Sequence, residues 1–364
     1  MPSPIRVLVV DDSALLRQIL TRALSEDPGI EIVGTARDGV EALQKAESLK
    51  PDVITLDIRM PALDGIQVLR HLPRHSDARV VVLSSVDDAP TTFLALSLGA
   101  IEFVLKPTTG VATSIGELSE TLRTKIRTAY EVTPEHATVV PQALRDAALL
   151  ERGRAEEARE RKPATHKDPT VCVGLAASTG GPPALEIVFS GLSPLLPAAY
   201  VIVQHLPAGF STSFARRLSA HCDIRIVEAE SGMALESGCG YIAPHGMHLV
   251  VATDEDGVRR FQMLADPPIH GVCPSADPLF RSIAATFGSH SVAVVLTGMG
   301  VDGASGAAEI SHAGGEVIIQ DEDSSVIWGM PRAVERAGAA GQIVPVNQIA
   351  DKIRSAVLAR AKGK

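Results

Sequence analysis

Three residues in the second half of the chain have the chemical types that catalyse ester or amide hydrolysis. Ser178, His205 and Asp302 each lie just beyond the end of a predicted strand, although they are far apart in the sequence. A serine hydroxyl is a weak nucleophile until a base removes its proton, and an imidazole base needs a third group to fix its tautomer. The set predicts a hydrolase in which Ser178 is the nucleophile, His205 the general base and Asp302 the orienting acid.

Each of these residues also has an ordinary structural explanation. Ser178 could cap the N-terminus of a helix, and a lone histidine such as His205 is usually a hydrogen-bonded core residue. Asp302 precedes Gly303, and this pair is common in turns. The residue types and their positions alone leave the catalytic and the structural interpretations both open.

The turn that carries Ser178 has the sequence ASTGG over residues 177–181. Its glycines let backbone amides approach an anion, which suits an oxyanion hole. A phosphate-binding loop is the competing interpretation. It is the weaker one, because the segment matches neither GxGxxG nor the GxxxxGK pattern.

A second group of polar residues lies at predicted strand ends in the first half of the chain. Asp11 and Asp12 follow the first strand, and Asp57 follows the third. Ligands of a parallel sheet bind beyond the carboxyl ends of its strands, so these carboxylates can converge on one hard cation such as Mg²⁺. The cation would offset the crowded negative charge and let Asp57 attack a phosphoryl group. Ser84 and Lys106 add a hydroxyl and an ammonium after the fourth and fifth strands, although any single aspartate in such a place could merely cap a helix.

The elements that would position both groups alternate between strands and helices. In the first half, strands are predicted over residues 7–10, 30–33, 53–56, 80–83 and 101–105, and helices over 15–24 and 40–49. In the second half, strands are predicted over 171–176, 200–204, 224–228, 249–252, 292–297 and 316–320, and helices over 210–220, 278–287, 303–312 and 346–361. The fold class is therefore α/β, with a doubly wound (βα)5 domain followed by a second doubly wound, mainly parallel α/β domain.

The length of the chain predicts more than one domain. At 364 residues it exceeds the usual size of a single core. Residues 142–162 are rich in Ala, Arg and Glu, a composition typical of an exposed, partly helical linker. We predict a first domain over residues 1–125, a linker over 126–168 and a second domain over 169–364.

Composition and charge argue against several classes of protein. The formal net charge of −9 disfavours a nucleic-acid partner, because phosphate binding needs clustered Lys and Arg. The four cysteines form no CxxC pair, which indicates reduced thiols in a cytoplasmic protein. The first apolar run ends at Asp11, and no uncharged apolar stretch approaches the roughly 20 residues that cross a bilayer. Neither secretion nor membrane insertion is expected.

The polar groups of the first half together resemble the response-regulator receiver domain over about residues 4–122. The resemblance implies that Asp57 is phosphorylated by a histidine kinase and that Asp11, Asp12 and Asp57 bind the Mg²⁺ needed for this reaction. It also implies a switch hydroxyl, a phosphate-binding lysine and a switch aromatic: Ser84, Lys106 and Phe103. Without the resemblance, Phe103 would be assigned to the core.

The second half resembles the catalytic domain of the chemotaxis response regulators called protein-glutamate methylesterases, the CheB family. The motifs that carry the resemblance are ASTGG at 177–181, QHLP at 204–207, PSAD at 274–277, LTGMG at 296–300 and WGMPR at 328–332. The family's triad would correspond to Ser178, His205 and Asp302, with oxyanion contacts near Thr179 and Met299.

The two resemblances imply one activity for the whole chain. It would be a phosphorylation-activated protein-glutamate methylesterase and protein-glutamine glutaminase of a bacterial two-component chemotaxis system. Methyl-accepting chemoreceptors would be its substrates, and no cofactor is expected for the esterase reaction. The unphosphorylated receiver would obstruct the catalytic cleft. A phosphorylation-dependent binding module without catalysis is the competing hypothesis.

Three features depart from the commoner family pattern. Val301 stands where Asn is frequent, Pro182 and Pro183 follow the glycine pair, and the predicted linker is long. These departures affect substrate choice and domain docking more than the chemistry.

Overall fold

The computed structural model describes residues 3–106, 112–133 and 168–362, with only the backbone described for 112–115. The chain divides into two units, Met1–Ala148 and Leu149–Lys364. The predicted linker lies largely outside the described residues. The predicted boundary at residue 125 falls within a helix that continues to Glu131, so the domain bounds stay predictions.

The first unit contains a five-stranded parallel sheet. Its strands are β1 (Ile5–Val10), β2 (Ile30–Ala36), β3 (Val53–Asp57), β4 (Arg79–Ser84) and β5 (Glu102–Leu105). They lie in the order β2-β1-β3-β4-β5, and every pair is parallel. The helices are α1 (Ala14–Ser25), α2 (Gly39–Leu49), α3 (Gly65–His71), α4 (Ala89–Ser97) and α5 (Ala112–Glu131). The predicted (βα)5 arrangement is confirmed.

Side chains that follow the strands start the first helices. Ser13 caps α1 by accepting a hydrogen bond from the Leu16 N–H. Asp64 and Gln67 form a reciprocal capping box at the start of α3. Because polar residues other than Asp11 and Asp57 make these caps, both acids remain available at the strand ends. The sheet order reverses between β1 and β3, where ligands of doubly wound sheets bind.

The second unit contains a seven-stranded parallel sheet. Its strands are β6 (Val171–Ala177), β7 (Ala198–Gln204), β8 (Arg225–Glu228), β9 (Cys239–Ile242), β12 (Ser291–Val295), β13 (Glu316–Gln320) and β14 (Gln342–Val344). They lie in the order β14-β13-β12-β6-β7-β9-β8. Two further strands, β10 (His248–Thr253) and β11 (Arg259–Leu264), form a separate antiparallel pair. The predicted strand over 249–252 thus exists but lies outside the parallel sheet.

Six helices accompany these strands in the described part of the second unit. They are α6 (Gly181–Ser190), α7 (Ser211–His221), α8 (Ala276–Phe287), α9 (Ala304–His312), α10 (Met330–Arg336) and α11 (Val346–Ala361). None of the helices in the described ranges is long and apolar enough to cross a membrane. A mainly parallel α/β domain is confirmed.

Helix α8 packs closely on the central strand β6. The Phe280 ring lies 2.7 Å from the position that a Cβ atom would occupy on Gly174, so this glycine permits the approach. Phe280 and its neighbour Ile283 are fully buried. The close packing brings the first turn of α8 towards the carboxyl ends of the central strands.

Candidate active site and phosphorylation site

His205 and Asp302 form a direct hydrogen-bonded pair. His205 follows β7, Asp302 follows β12, and His205 Nε2 lies 2.8 Å from Asp302 Oδ2. Asp302 is almost fully buried and the His205 side chain is 15% exposed. Because Nε2 carries the proton donated to the carboxylate, Nδ1 is the basic nitrogen. Within the part of the chain that the structure describes, Nδ1 has no hydrogen-bond partner.

Two groups at the start of α8 also bind the Asp302 carboxylate. The Ser275 hydroxyl donates to Oδ1 at 2.5 Å, and the Ala276 backbone N–H donates to Oδ2 at 2.8 Å. Burial alone would raise the pKa of Asp302, but the hydrogen bonds from His205, Ser275 and Ala276 outweigh it and hold the pKa below its usual value. The carboxylate is therefore ionised at neutral pH.

Ser178 lies in the turn between β6 and α6, beside the segments that follow β7 and β12. Its backbone N–H donates to Thr297 O at 3.0 Å, and Gln204 Nε2 donates to Ser178 O at 3.0 Å. The His205 N–H donates to Ala177 O, so the segments that carry Ser178 and His205 are adjacent. Ser178 Oγ has no hydrogen bond within the described ranges and is not bonded to His205. Such nucleophile–base contacts are often longer without substrate.

The structure contradicts the helix-cap explanation for Ser178 and the core-packing explanation for His205, whereas Asp302 does lie in a turn, over residues 301–304. The N-cap of α6 is Gly180, not Ser178, and the N-cap of α9 is Gly303, not Asp302. His205 is only partly buried and binds a carboxylate instead of packing in the core. The site residues follow β6, β7 and β12, which are three adjacent strands at the centre of the sheet.

Thr179 and Met299, the predicted oxyanion residues, lie on the two segments that border Ser178. Thr179 follows Ser178 in the turn and is buried. Met299 follows Gly298, where an added Cβ atom would lie only 2.8 Å from Ser178 Cβ. The Met299 side chain is half exposed. Both backbone segments therefore approach the serine from different strand ends.

A second serine and histidine also lie near Asp302, but their hydrogen bonds hold the structure together and do not activate the serine. Ser275 and His248 are both fully buried. His248 Nδ1 accepts the Ser275 backbone N–H at 3.0 Å, and Nε2 lies 3.1 Å from Pro267 O. Both imidazole nitrogens are thus used by backbone groups, which leaves no base for the Ser275 hydroxyl. Sequence reasoning gave Ser275 no role, although the PSAD motif was the signal that could have found it.

The three predicted metal ligands of the first unit lie together. Carboxylate oxygens of Asp11, Asp12 and Asp57 are within 4.8 Å of one another. Lys106 Nζ lies 2.8 Å from Asp11 Oδ2 and 2.7 Å from Asp57 Oδ2. One ammonium does not balance three carboxylates, and oxygen donors suit a hard divalent cation. This acidic pocket is typical of a Mg²⁺ site.

Burial acts in opposite directions on the pKa values of Asp57 and Lys106. It raises the pKa of Asp57, an effect that the hydrogen bond from Lys106 only partly offsets. Burial would lower the pKa of Lys106, but its hydrogen bonds to Asp11 and Asp57 outweigh this and raise it. Lys106 therefore stays charged, whereas Asp57 gains from a further positive charge.

The predicted switch residues Ser84 and Phe103 lie at the end of β4 and on β5. The Ser84 hydroxyl lies 2.5 Å from Thr92 Oγ1 of α4, and both groups are buried. Phe103 is also buried. Beside Asp12, a cavity of about 610 Å³ is lined in part by Arg59 and Asp88, which form an ion pair.

Comparisons with known proteins identify a family for each half of the chain. A family model described as CheB methylesterase matches residues 173–353, and one described as response regulator receiver domain matches residues 7–112. A protein-glutamate methylesterase/protein-glutamine glutaminase 2 from Xanthomonas oryzae pv. oryzae is 42% identical over 359 residues, which cover 97% of each protein. The chain belongs to the CheB methylesterase family.

The similarity extends to distant CheB relatives and to a solved structure. A protein-glutamate methylesterase/protein-glutamine glutaminase from Pyrococcus horikoshii is 38% identical and covers 98% of this chain. The crystal structure of the Thermotoga maritima CheB methylesterase catalytic domain is 36% identical, with a TM-score of 0.50, over 51% of this chain and 97% of that one. The range matched by the CheB model includes Ser178, His205 and Asp302.

Proposed function

We propose that this chain is a protein-glutamate methylesterase and protein-glutamine glutaminase of chemoreceptors, with Ser178, His205 and Asp302 as its triad and an N-terminal receiver that regulates it. The observation that carries the proposal is the 2.8 Å pair between His205 Nε2 and Asp302 Oδ2, formed beside the Ser178 turn. Relatives of the same name and almost the same length support the activity.

The acylation step uses each triad residue in a distinct way. Ser178 Oγ attacks the ester carbonyl of a glutamate side chain while His205 Nδ1 takes the hydroxyl proton. The imidazolium is stabilised by the Asp302 carboxylate, and the hydrogen bonds from Ser275 and Ala276 help to keep this carboxylate ionised. His205 then returns the proton to the departing oxygen, so methanol leaves and a glutamyl–serine ester remains.

The deacylation step repeats the proton transfers with water. His205 Nδ1 takes a proton from the attacking water, and the new tetrahedral intermediate collapses to release the glutamate carboxylate. The proton returns to Ser178 Oγ, which restores the enzyme. With a glutamine substrate the same sequence releases ammonia in place of methanol.

Backbone donors near the serine would stabilise both tetrahedral intermediates. The N–H groups of Thr179 and Met299 are the candidates, because their segments approach Ser178 from two neighbouring strand ends. One such donor typically contributes about 3 kcal/mol to transition-state binding. The Gln204 amide holds the Ser178 carbonyl, which keeps the turn in place.

The receiver would control this reaction through Asp57. Asp11, Asp12 and Asp57 would hold Mg²⁺, which offsets negative charge while a histidine kinase donates its phosphoryl group to the Asp57 carboxylate. Lys106, which contacts Asp57, would bind the phosphoryl oxygens, and Ser84 and Phe103 would rearrange in response. Phosphorylation would raise the esterase rate by increasing access to the catalytic serine.

Methanol release from methylated chemoreceptor membranes tests the proposal. Release should increase when Mg²⁺ and phosphoramidate are added, and Asp57→Asn should lose this increase. Ser178→Ala should lower the rate by several orders of magnitude. Ser190→Ala is the matched control, because Ser190 is an exposed serine at the end of α6 that bonds only to its own helix. Full methanol release by Ser178→Ala would exclude the proposed nucleophile.

A fluorophosphonate probe separates the enzyme from a non-catalytic binding module. The probe should form an adduct with wild-type protein in the presence of phosphoramidate and Mg²⁺. A binding module would bind receptors without forming the adduct or releasing methanol.

A further inference from the structure

We infer that Ser275 is a positioning residue of the hydrolase, whose hydroxyl holds Asp302 Oδ1 so that Oδ2 stays directed at His205 Nε2. The inference rests on the proposed function, because it needs Asp302 in the triad. Its geometric basis is the 2.5 Å hydrogen bond from Ser275 Oγ to Asp302 Oδ1.

The Ser275 hydroxyl is the partner that fixes the rotation of the carboxylate. Oδ2 accepts both His205 Nε2–H and the Ala276 N–H, whereas Oδ1 has Ser275 Oγ as its one hydrogen-bond donor among the described residues. Removal of the hydroxyl would leave Oδ1 buried and without a donor. A buried carboxylate oxygen in that condition turns towards other donors or binds a proton.

Ser275 is itself held rigidly in place. It caps α8, and its Oγ accepts the Asp277 N–H at 3.3 Å while donating to Asp302. Its own N–H donates to His248 Nδ1. His248 thereby fixes the Ser275 backbone, and Pro267 O fixes the other side of the imidazole. Each contact aligns the serine hydroxyl with the carboxylate instead of activating it.

The charged groups around Asp302 make a pH readout interpretable. In the described part of the chain, His205 is the ionisable side chain that contacts Asp302. Asp277, on the first turn of the same helix, binds the Gly306 N–H and His270 instead. A change in the acidic limb of the rate profile therefore reports the His205–Asp302 pair.

Loss of the hydroxyl should shift the acidic limb to higher pH. The active form needs ionised Asp302 and neutral His205. A donor to the carboxylate stabilises its ionised state, so Ser275→Ala makes the pair bind a proton more readily. A hydrogen bond to a charged group corresponds to about a tenfold or larger change in rate and about one unit in the position of the limb.

The test is the pH dependence of fluorophosphonate labelling of the full chain with Mg²⁺ and phosphoramidate, with the labelled serine identified by mass spectrometry. The inference requires that the adduct forms on Ser178. Labelling should be slower, with the acidic limb at higher pH, in Ser275→Ala and Ser275→Gly. Ser275→Thr should recover the wild-type rate and limb. Glycine is nearly as good an N-cap as serine, so this variant guards against misfolding. Ser282→Ala is the matched control on α8, because its hydroxyl bonds only to Leu279 and Val251.

The possible failures are distinguishable. An adduct on Ser178 with unchanged rate and limb in both hydroxyl-free variants would overturn the inference and leave the proposed function intact. A slower rate without a shifted limb, or without recovery in Ser275→Thr, would reduce Ser275 to a structural cap. An adduct on Ser275, or no adduct on either serine, would overturn the proposed function as well.

Discussion

Replacement of Asp302 by Asn should slow catalysis while leaving the His205 tautomer unchanged. Asp302 Oδ2 accepts both the Ala276 N–H and His205 Nε2–H at 2.8 Å. If the asparagine NH₂ group occupied the Oδ2 position, it would face the Ala276 N–H, and two donors cannot form a hydrogen bond with each other. The asparagine oxygen must therefore occupy the Oδ2 position, where it still accepts the proton from His205 Nε2. Its NH₂ group then faces Ser275 Oγ, which can accept a hydrogen bond.

The expected decrease in rate therefore comes from the loss of the carboxylate charge. Two unit charges about 4 Å apart at an effective dielectric of about 20 interact by roughly 4 kcal/mol, which corresponds to about 10³-fold in rate. The imidazolium that forms on His205 during catalysis would lose this stabilisation in Asp302→Asn. A wrong tautomer would cost more, on the order of 10⁴-fold.

The direction of the pH effect provides the decisive measurement. Without the carboxylate, His205 binds a proton less readily, so the acidic limb of methanol release and of fluorophosphonate labelling should move to lower pH. This direction is opposite to that expected for Ser275→Ala. An acidic limb that stays in place or moves to higher pH in Asp302→Asn would refute the assignment of Asp302 as the carboxylate partner of the base.

Three further perturbations give expected outcomes. Gly298→Ala should abolish methanol release without changing phosphate uptake by the receiver, because the added Cβ atom would lie 2.8 Å from Ser178 Cβ. Thr92→Val should raise methanol release at low phosphoramidate, since it removes the 2.5 Å partner that holds the Ser84 hydroxyl; an unchanged response would contradict this. The pKa of Asp302 is below its usual 3.8, so its contribution to stability is present above that pH and is lost as the pH falls through the lower folded-state value. Urea unfolding can be followed by the fluorescence of the single tryptophan. The free energy of unfolding should therefore fall less steeply with decreasing pH in Asp302→Asn than in the wild-type protein.

Local patterns were sufficient to predict which of the candidate site residues lie at strand ends. Val53–Asp57 and Val171–Ala177 are fully buried strands that are apolar except for Thr55 and the terminal Asp57, and a predicted site residue ends or follows each of them. Burial of a polar side chain in the interior of such a strand is costly, and Thr55 is the one exception in these two strands, so the polar residue that ends or follows the run marks the edge of the sheet. This is why Asp57 and Ser178 could be located from the sequence.

The order of strands could not be predicted in the same way. β12 begins at Ser291 and pairs with β6, more than a hundred residues earlier, which is what brings Asp302 towards Ser178. Nothing local distinguishes β10, which pairs only with β11, from a strand of the parallel sheet. The role of Ser275 was missed for the same reason: its capping of α8 is local, but its bond to Asp302 depends on how α8 packs against β6.

The two units use one residue type in opposite electrostatic environments. Burial, with a smaller contribution from the Asp11 charge, raises the pKa of Asp57, so a cation bound in this pocket would stabilise its ionised form. Asp302 is similarly buried, but its hydrogen bond and charge interaction with His205, together with the hydrogen bonds from Ser275 and Ala276, outweigh burial and lower its pKa. A carboxylate that must accept a phosphoryl group in a Mg²⁺-dependent step benefits from the first environment. A carboxylate that must remain ionised beside His205 through every proton transfer requires the second, and the donors at the start of α8 supply it.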